Sequence, residues 1–92
     1  MSQAKTVTVL YFAAALSETG IPQEKISIPS DKEFKLSDLP ELLISQHPDS
    51  ELDKILETSR WSVNLEMVDE PPDQVGLVGG EEIGVICPVS GG

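Results

Sequence analysis

The last five residues of the sequence, Pro88-Val89-Ser90-Gly91-Gly92, form the segment of the chain with the most specific chemistry. Glycine has no Cβ, so the Gly91-Gly92 pair can thread a channel that is too narrow for other residues. A carboxylate at the end of Gly92 would be unhindered, and a partner enzyme could activate it and attach a group to it. The alternative interpretation is a loosely ordered chain end of small residues without a function.

Residues of the usual catalytic and metal-binding types are few in the rest of the sequence. His47 is the one histidine, and its place before Pro48 favours a solvated or helix-capping residue over a catalytic one. Cys87 is the one cysteine, and a buried apolar role is favoured over a reactive role beside the tail. One His and one Cys do not make a metal site, and the sequence has no Gly-x-x-x-x-Gly-Lys phosphate-binding motif. We therefore expect no catalytic residues, no metal and no tightly bound cofactor in this chain.

Size and charge limit the classes of protein to which the chain can belong. The 92 residues suit one small domain, and 6 Lys and Arg against 16 Asp and Glu give a net charge of -10. Nucleic acid is not an expected partner, because phosphate contacts need a basic surface. The acidity suits either a basic protein partner or simple solubility. The apolar stretch over 9–16 is too short to span a membrane, and the lone cysteine and the lack of a signal-peptide pattern indicate the cytosol.

The pattern of apolar residues predicts five strands. Residues 6–12 and 25–29 are rich in β-branched and aromatic types and predict an antiparallel hairpin, with a turn or loop over 17–20. Residues 61–63 and 66–68 predict a second hairpin with a tight turn at Asn64-Leu65, because asparagine tolerates positive φ. Residues 82–86 predict the last strand, from which the tail would project.

Two helices are predicted between the hairpins. The segment Ser37-Asp38-Leu39-Pro40-Glu41 has the N-cap, the first-turn proline and the Asp-x-x-Glu pattern of a helix start. That helix ends at His47, because a residue before proline avoids the helical region. Ser50 can cap a second, shorter helix. The apolar residues that these helices would bury are Leu39, Leu42, Leu43, Leu52, Ile55 and Leu56.

This order of elements predicts an α+β fold, a mixed sheet with one main helix packed across it. The first and last strands would be parallel neighbours at the centre of the sheet. Residues 1–87 would form the domain and residues 88–92 a flexible C-terminal Gly-Gly tail. In the loop over 69–80, the predicted contacts with the core are those of Val75, Leu77 and Val78, with a turn at Gly79-Gly80.

An apolar patch is expected on the face of the sheet opposite the helix. Phe12 and Ile86 would project from that face, and Met67 would join them from the second hairpin. Such patches often mark partner-binding sites, although loops could also cover the residues.

Several segments resemble the small subunit of molybdopterin synthase. They extend over nearly the whole chain and are Val9-Leu10-Tyr11-Phe12-Ala13, Thr19-Gly20, Ile26-Ser27-Ile28-Pro29, Val63-Asn64, Gly80-Glu81-Glu82-Ile83 and Cys87-Pro88-Val89-Ser90-Gly91-Gly92. The Pro-Val-Ser-Gly-Gly ending is the most specific of them. The chain departs from the family pattern at Cys87, where the family usually has proline, in the loop over 69–72, and near Ala14 or Leu16, where the family often has a basic residue.

The resemblance implies a ubiquitin-like β-grasp fold and a sulfur carrier that is not an enzyme on its own. An E1-like adenylating enzyme would use ATP to activate the carboxylate of Gly92 and exchange it for a thiocarboxylate. The tail residues Pro88, Val89, Ser90 and Gly91 would then insert into a pocket of the large catalytic subunit, within a heterotetramer. There the sulfur would pass to cyclic pyranopterin monophosphate to form molybdopterin, as part of molybdenum cofactor biosynthesis.

Three other functions are compatible with the sequence. The chain could carry sulfur for thiamine synthesis or tRNA thiolation, although the Pro-Val-Ser context disfavours this. It could be a ubiquitin-like modifier that forms isopeptide bonds to lysines. It could also be a ubiquitin-like binding module whose tail is inert.

Overall fold

A computed structural model of the protein describes residues 5–29 and 31–87. The tail predicted over 88–92, and with it the proposed domain boundary, lies outside the described residues. The elements in chain order are β1 Lys5–Tyr11, α1 Ala13–Thr19, β2 Gln23–Ile28, β3 Phe34–Lys35, α2 Leu39–Gln46, α3 Leu52–Thr58, β4 Arg60–Val63, β5 Glu66–Met67, β6 Gly76–Leu77 and β7 Glu82–Ile86, with short 3-10 helices at Leu36–Asp38 and Pro72–Gln74.

Five of the strands form a mixed sheet in the order β2-β1-β7-β4-β5. At its centre β1 and β7 run parallel, with Val9 opposite Ile83 and Tyr11 opposite Val85. The neighbours β2 and β4 are antiparallel to them. The predicted central pair and the predicted α+β class are therefore confirmed, and the tail follows directly from a strand that is held on both sides.

One face of this sheet forms the core together with the helices. Alternation along β1 buries Val7, Val9 and Tyr11 on one side, as expected for a strand with one buried face. The residues that meet them from β7 and the helices are Ile83, Val85, Leu39, Leu43, Leu52 and Leu56. None of the described helices is long and apolar enough to cross a membrane.

Helix α1 was not predicted; residues 17–20 were expected to be a turn or loop. Ser17, Glu18 and Thr19 instead form the last part of α1, and the helix ends at Gly20 with φ of 75°. Ala15 is completely buried, and the hydroxyl of Thr19 donates to the Ala15 carbonyl oxygen at 2.9 Å. The polar residues that suggested a loop therefore lie on a helix whose formation depends on a single buried alanine and a left-handed glycine cap.

Helix α2 starts where the sequence predicted, with Asp38 at its N-cap and Pro40 in its first turn, but the expected capping hydrogen bond is absent. Asp38 makes no side-chain hydrogen bond to the first turn of α2. Its Oδ2 instead accepts a hydrogen bond from the Lys35 backbone N–H at 3.0 Å and supports the preceding 3-10 helix. The predicted end of α2 at His47 is confirmed. The N-cap of α3 is Glu51, not the predicted Ser50, although the Ser50 hydroxyl oxygen accepts a hydrogen bond from the Leu52 backbone N–H at 3.3 Å.

The predictions for the second hairpin and for the loop over 69–80 are confirmed in part. Asn64 and Leu65 have φ of 51° and 71°, which confirms the predicted tight turn. In the loop, Leu77 is buried and Val75 packs against the core, but Val78 is 70% exposed, so the prediction that Val78 contacts the core is wrong. Leu77 is buried because β6 pairs with β3, opposite Phe34. That pairing leaves the next residue facing solvent.

Candidate partner-binding face and the start of the tail

The face of the five-stranded sheet opposite the core, which we call the outer face, carries a band of apolar and small residues. The strand registers place Leu10, Gly84, Ser62 and Met67 in one row across four strands. A second row pairs Ile86 with Arg60.

The three residues predicted to form the docking patch all lie on the outer face. Phe12 follows the buried Tyr11 in extended conformation, so its side chain alternates to the outer side, where it is 46% exposed. Met67 is 48% exposed and Ile86 is half-buried. Phe12 and Ile86 come from neighbouring strands. Met67 lies two strands beyond Ile86 and in the next row, so the two positions are about 12 Å apart by strand geometry. The residues therefore form a band that a partner surface can cover.

Gly84 allows the middle of this band to pack closely. A Cβ at Gly84 would collide with the hydroxyl of Ser62 and would lie 3.5 Å from Cδ1 of Ile86. The side chains of Ser62 and Ile86 therefore occupy the space next to Gly84 on the outer face, while β4 and β7 remain paired. The glycine keeps the band flat, which suits a contact with another protein.

Cys87, the last described residue before the tail, is linked to the docking patch. Its thiol donates to the carbonyl oxygen of Phe12 at 3.3 Å. The same oxygen accepts the Ala15 backbone N–H at 3.1 Å, at the start of α1. Cys87 is half-buried and packs against the core, so the favoured role of a buried apolar residue describes only part of what it does. Cys87, the residue before the tail, therefore lies beside Phe12, whereas Pro88, Val89, Ser90, Gly91 and Gly92 lie outside the described residues.

A hydrogen-bonded group of three side chains lies on the core side of the sheet, and the sequence analysis did not identify it. The hydroxyl of Tyr11 donates to Oε2 of Glu24 at 2.5 Å, and Nε2 of His47 donates to the same oxygen at 2.6 Å. The His47 ring meets the Tyr11 ring edge-on, with centroids 6.0 Å apart. The group joins the end of β1, the start of β2 and the end of α2.

The interpretation of His47 as a solvated residue is therefore wrong, although its capping position is confirmed. Only 18% of its side chain is exposed, because the chain turns at Pro48 and the ring packs against Glu24. Burial, together with the hydrogen bond to Glu24 and the charge of Glu24, raises the pKa of Tyr11 well above its ordinary value. One signal was present in the sequence: Glu24 alternates with the buried Ile26 and Ile28, and a carboxylate on a core-facing position needs partners.

The hydrogen-bonded group and the docking patch lie on opposite faces of the sheet. The Tyr11–Glu24–His47 group lies on the core side, whereas Phe12, Met67 and Ile86 lie on the outer face. Within residues 5–29 and 31–87, no cluster of three or more His, Cys, Asp or Glu side chains could hold a metal ion. The arrangement presents an apolar surface beside Cys87, the last described residue.

The chain resembles curated proteins along its whole length. The molybdopterin synthase sulfur carrier subunit of Mycosarcoma maydis is 36% identical over 88 residues, which cover 95% of this chain and 94% of that protein. The sulfur carrier subunit of the same synthase in Aspergillus niger is also 36% identical, and the alignment covers 100% of both chains. No family model matches the chain.

Solved structures share the fold. Small archaeal modifier protein 1 of Haloferax volcanii has a TM-score of 0.74 at 18% identity, over 95% of this chain and 99% of that one. The putative molybdopterin converting factor subunit 1 of Pyrococcus furiosus has a TM-score of 0.72 at 25% identity, over 94% and 100% of the two chains. A complex of subunits 1 and 2 of the molybdopterin-converting factor of Helicobacter pylori gives 0.55 at 23% identity, over 95% and 99%. These likenesses confirm the ubiquitin-like β-grasp fold.

Proposed function

Because the chain belongs to the family of molybdopterin synthase sulfur carrier subunits, we propose that it carries sulfur as a thiocarboxylate on Gly92. The sulfur serves the conversion of cyclic pyranopterin monophosphate to molybdopterin. The observation that carries the proposal is the similarity to the Aspergillus niger carrier, since that alignment covers the whole chain, including residues 88–92.

The chemistry explains why the chain needs a tail and no catalytic residues of its own. A free carboxylate is a poor electrophile, and adenylation by an E1-like enzyme with ATP gives it a good leaving group. The thiocarboxylate that replaces it is an anionic sulfur nucleophile at neutral pH. Insertion of the tail into a closed pocket of the large subunit excludes water and orients the sulfur for attack. The carrier contributes reach and docking, and the partners contribute catalysis and ATP binding.

The geometry supports the large subunit of the synthase as the partner of the outer face. The tail follows β7, a central strand with neighbours on both sides. Cys87, the residue before the tail, lies beside Phe12, so we expect a partner that receives residues 88–92 also to meet the apolar band of Phe12, Ile86 and Met67. Exposed apolar patches of this kind are common at protein interfaces. The Helicobacter pylori neighbour is itself described as a complex of subunits 1 and 2.

The acidic balance of the chain supports the same assignment. With a net charge of -10, the carrier is attracted over long range to a partner with a basic surface, which raises the rate of encounter. A large subunit that binds a phosphate-bearing pterin is such a partner. We propose that the complex acts in the cytosol as a heterotetramer.

Intact-mass measurement tests the sulfur-carrier function. The chain is incubated with an activating enzyme, ATP and a sulfur donor, and its mass should rise by the difference between one sulfur and one oxygen. The matched control is the same chain without Gly92, which should show no rise. A chain that gains this mass without Gly92, or a full chain that never gains it, would refute the proposal.

A second experiment, in a cell lysate, separates the carrier from the ubiquitin-like modifier. A modifier would join its Gly92 to lysines of other proteins and give conjugates of higher mass in a cell lysate. For a carrier, the thiocarboxylate is the main product and such conjugates are minor.

A further inference from the structure

Arg60 stands out on the outer face because it is the one arginine in the sequence. It is the first residue of β4, it is exposed, and it lies opposite Ile86. The next residue, Trp61, is buried in the core, so alternation places the Arg60 side chain on the outer side. Its strand partner Ile86 is two residues before Pro88, the first residue of the tail.

The guanidinium of Arg60 has no ion-pair partner among the described residues. In the part of the chain that the structure describes, the basic side chains that form ion pairs are Lys35 with Glu33 at 4.0 Å and Lys54 with Glu51 at 3.7 Å, besides the His47–Glu24 contact. Asp69 is the nearest acidic candidate in the register of β4 and β5. The Val68 N–H donates to the Trp61 carbonyl oxygen, so the next residue along, Asp69, lies opposite Arg60. Even so, no ion pair forms between them.

A partner that covers Ile86 and Phe12 removes water from Arg60. A guanidinium that loses water without gaining a partner is strongly unfavourable. A facing carboxylate satisfies it well, because the planar guanidinium donates two parallel N–H bonds to the two carboxylate oxygens. The chemistry of the site therefore fits an acidic residue on the partner surface.

We propose that Arg60 pairs with a carboxylate of the large synthase subunit, at the edge of the pocket that receives the tail. The proposal rests on the proposed function, since it presumes that the outer face meets that subunit. The rest of the carrier is acidic, and a partner attracted to it is mainly basic. A single acidic residue on such a partner would meet Arg60 in one docking orientation. In other orientations, carboxylates of the carrier would repel it. Arg60 therefore fixes the orientation in which the tail meets its pocket.

The test measures the affinity of the full-length carrier for the purified large subunit at low salt. Arg60→Glu should weaken binding by about a hundredfold. Arg60→Lys should keep part of the affinity, because lysine retains the charge but not the two-pronged geometry. The matched control is Lys54→Glu, which makes the same change of charge on α3 and should alter affinity less than about threefold. Raising the salt concentration should narrow the difference between Arg60→Glu and the wild-type chain.

Asp69→Asn separates pairing with the partner from pairing within the carrier. If Arg60 acts through the partner, removing the Asp69 charge leaves binding unchanged or strengthens it. An equal loss of affinity in Asp69→Asn and Arg60→Glu would overturn the proposal, as would equal binding of Arg60→Glu and Lys54→Glu. Melting curves of each variant confirm that the fold persists. A wild-type chain that does not bind the large subunit at all refutes the proposed function instead, so the two failures are distinguishable.

Discussion

The thiol of Cys87 lies 3.3 Å from the carbonyl oxygen of Phe12, so the residue before the tail is hydrogen-bonded to the residue that caps α1. Phe12 is also one of the most exposed apolar side chains on the outer face. The contact therefore links the end of the segment after β7 to the start of α1 and to the apolar band. A proline at position 87 could not make this contact, since proline has no side-chain donor.

Replacing Cys87 by alanine should destabilise the fold without abolishing sulfur loading. The variant loses one hydrogen bond and some packing against the core, which together cost about 1 kcal/mol. Urea unfolding measures the loss, and the intact-mass assay measures loading. Cys87→Ser is the matched control because its hydroxyl can still donate to the carbonyl oxygen. If the alanine variant could no longer accept sulfur, the thiol would take part in the chemistry and its role would not be structural alone.

The Tyr11–Glu24–His47 group predicts a loss of stability at high pH. Tyr11 has a pKa raised above its ordinary value of 10.0, mainly by burial. Above that value the unfolded chain releases the phenol proton while the folded chain keeps it, so the free energy of unfolding falls as pH rises. The stabilisation is complete below pH 10.0. Urea unfolding at several pH values on either side of the ordinary tyrosine pKa, about 10, should show this decline.

Tyr11→Phe is the matched variant for the pH experiment. It keeps the ring and removes the hydroxyl, and it should cost about 1 to 3 kcal/mol at neutral pH because Glu24 loses one donor. Since the chain has no other tyrosine, the variant should also lose the tyrosine-dependent decline above pH 10.0. A decline of equal size in the variant would show that other groups cause it.

The sequence allowed the central sheet to be predicted better than the site. Alternation along β1 and β7 is a local property, so their buried faces and their parallel pairing followed from the pattern and the order of elements. Strands β3 and β6 are only two residues long, which is too short for any periodicity to be recognised. The contact between Glu24 and His47 joins residues 23 positions apart, and only the packing of α2 on the sheet brings them together. Helix α1 was missed for a different reason. It starts abruptly at Ala13, with φ of 52°, and its last residues are polar types that are typical of loops.

Gly84 offers a test of the packing under the outer face. Gly84→Ala should destabilise the fold by about 1 to 3 kcal/mol, because its Cβ collides with the Ser62 hydroxyl. The double variant Ser62→Ala with Gly84→Ala should recover much of that loss, since the Cβ of residue 62 lies at an ordinary contact distance of 3.6 Å. Thermal melting of both variants checks the prediction. If Gly84→Ala alone is as stable as the wild-type chain, the Ser62 hydroxyl does not block a Cβ at position 84, and the predicted collision is wrong.

The apolar band itself is tested by Phe12→Ser. Phe12 occupies the N-cap of α1 in extended conformation, a position at which serine is favoured over apolar residues. The substitution should therefore leave the stability of the fold nearly unchanged while removing an exposed aromatic side chain from the docking surface. Affinity for the large subunit should fall at least tenfold, which corresponds to about 1.4 kcal/mol or more.

Val78→Ser is the control for that experiment, because Val78 is also exposed and apolar, at 70%, but lies in the connection between β6 and β7. It should bind the large subunit as well as the wild-type chain does. The rate of sulfur loading, measured by mass spectrometry, shows whether the activating enzyme also contacts Phe12. If that enzyme binds the same apolar band, it should load Phe12→Ser more slowly than the wild-type chain. Equal affinities of Phe12→Ser and Val78→Ser for the large subunit would mean that the partner approaches the carrier from another side. The tail would then have to reach its pocket without support from the outer face.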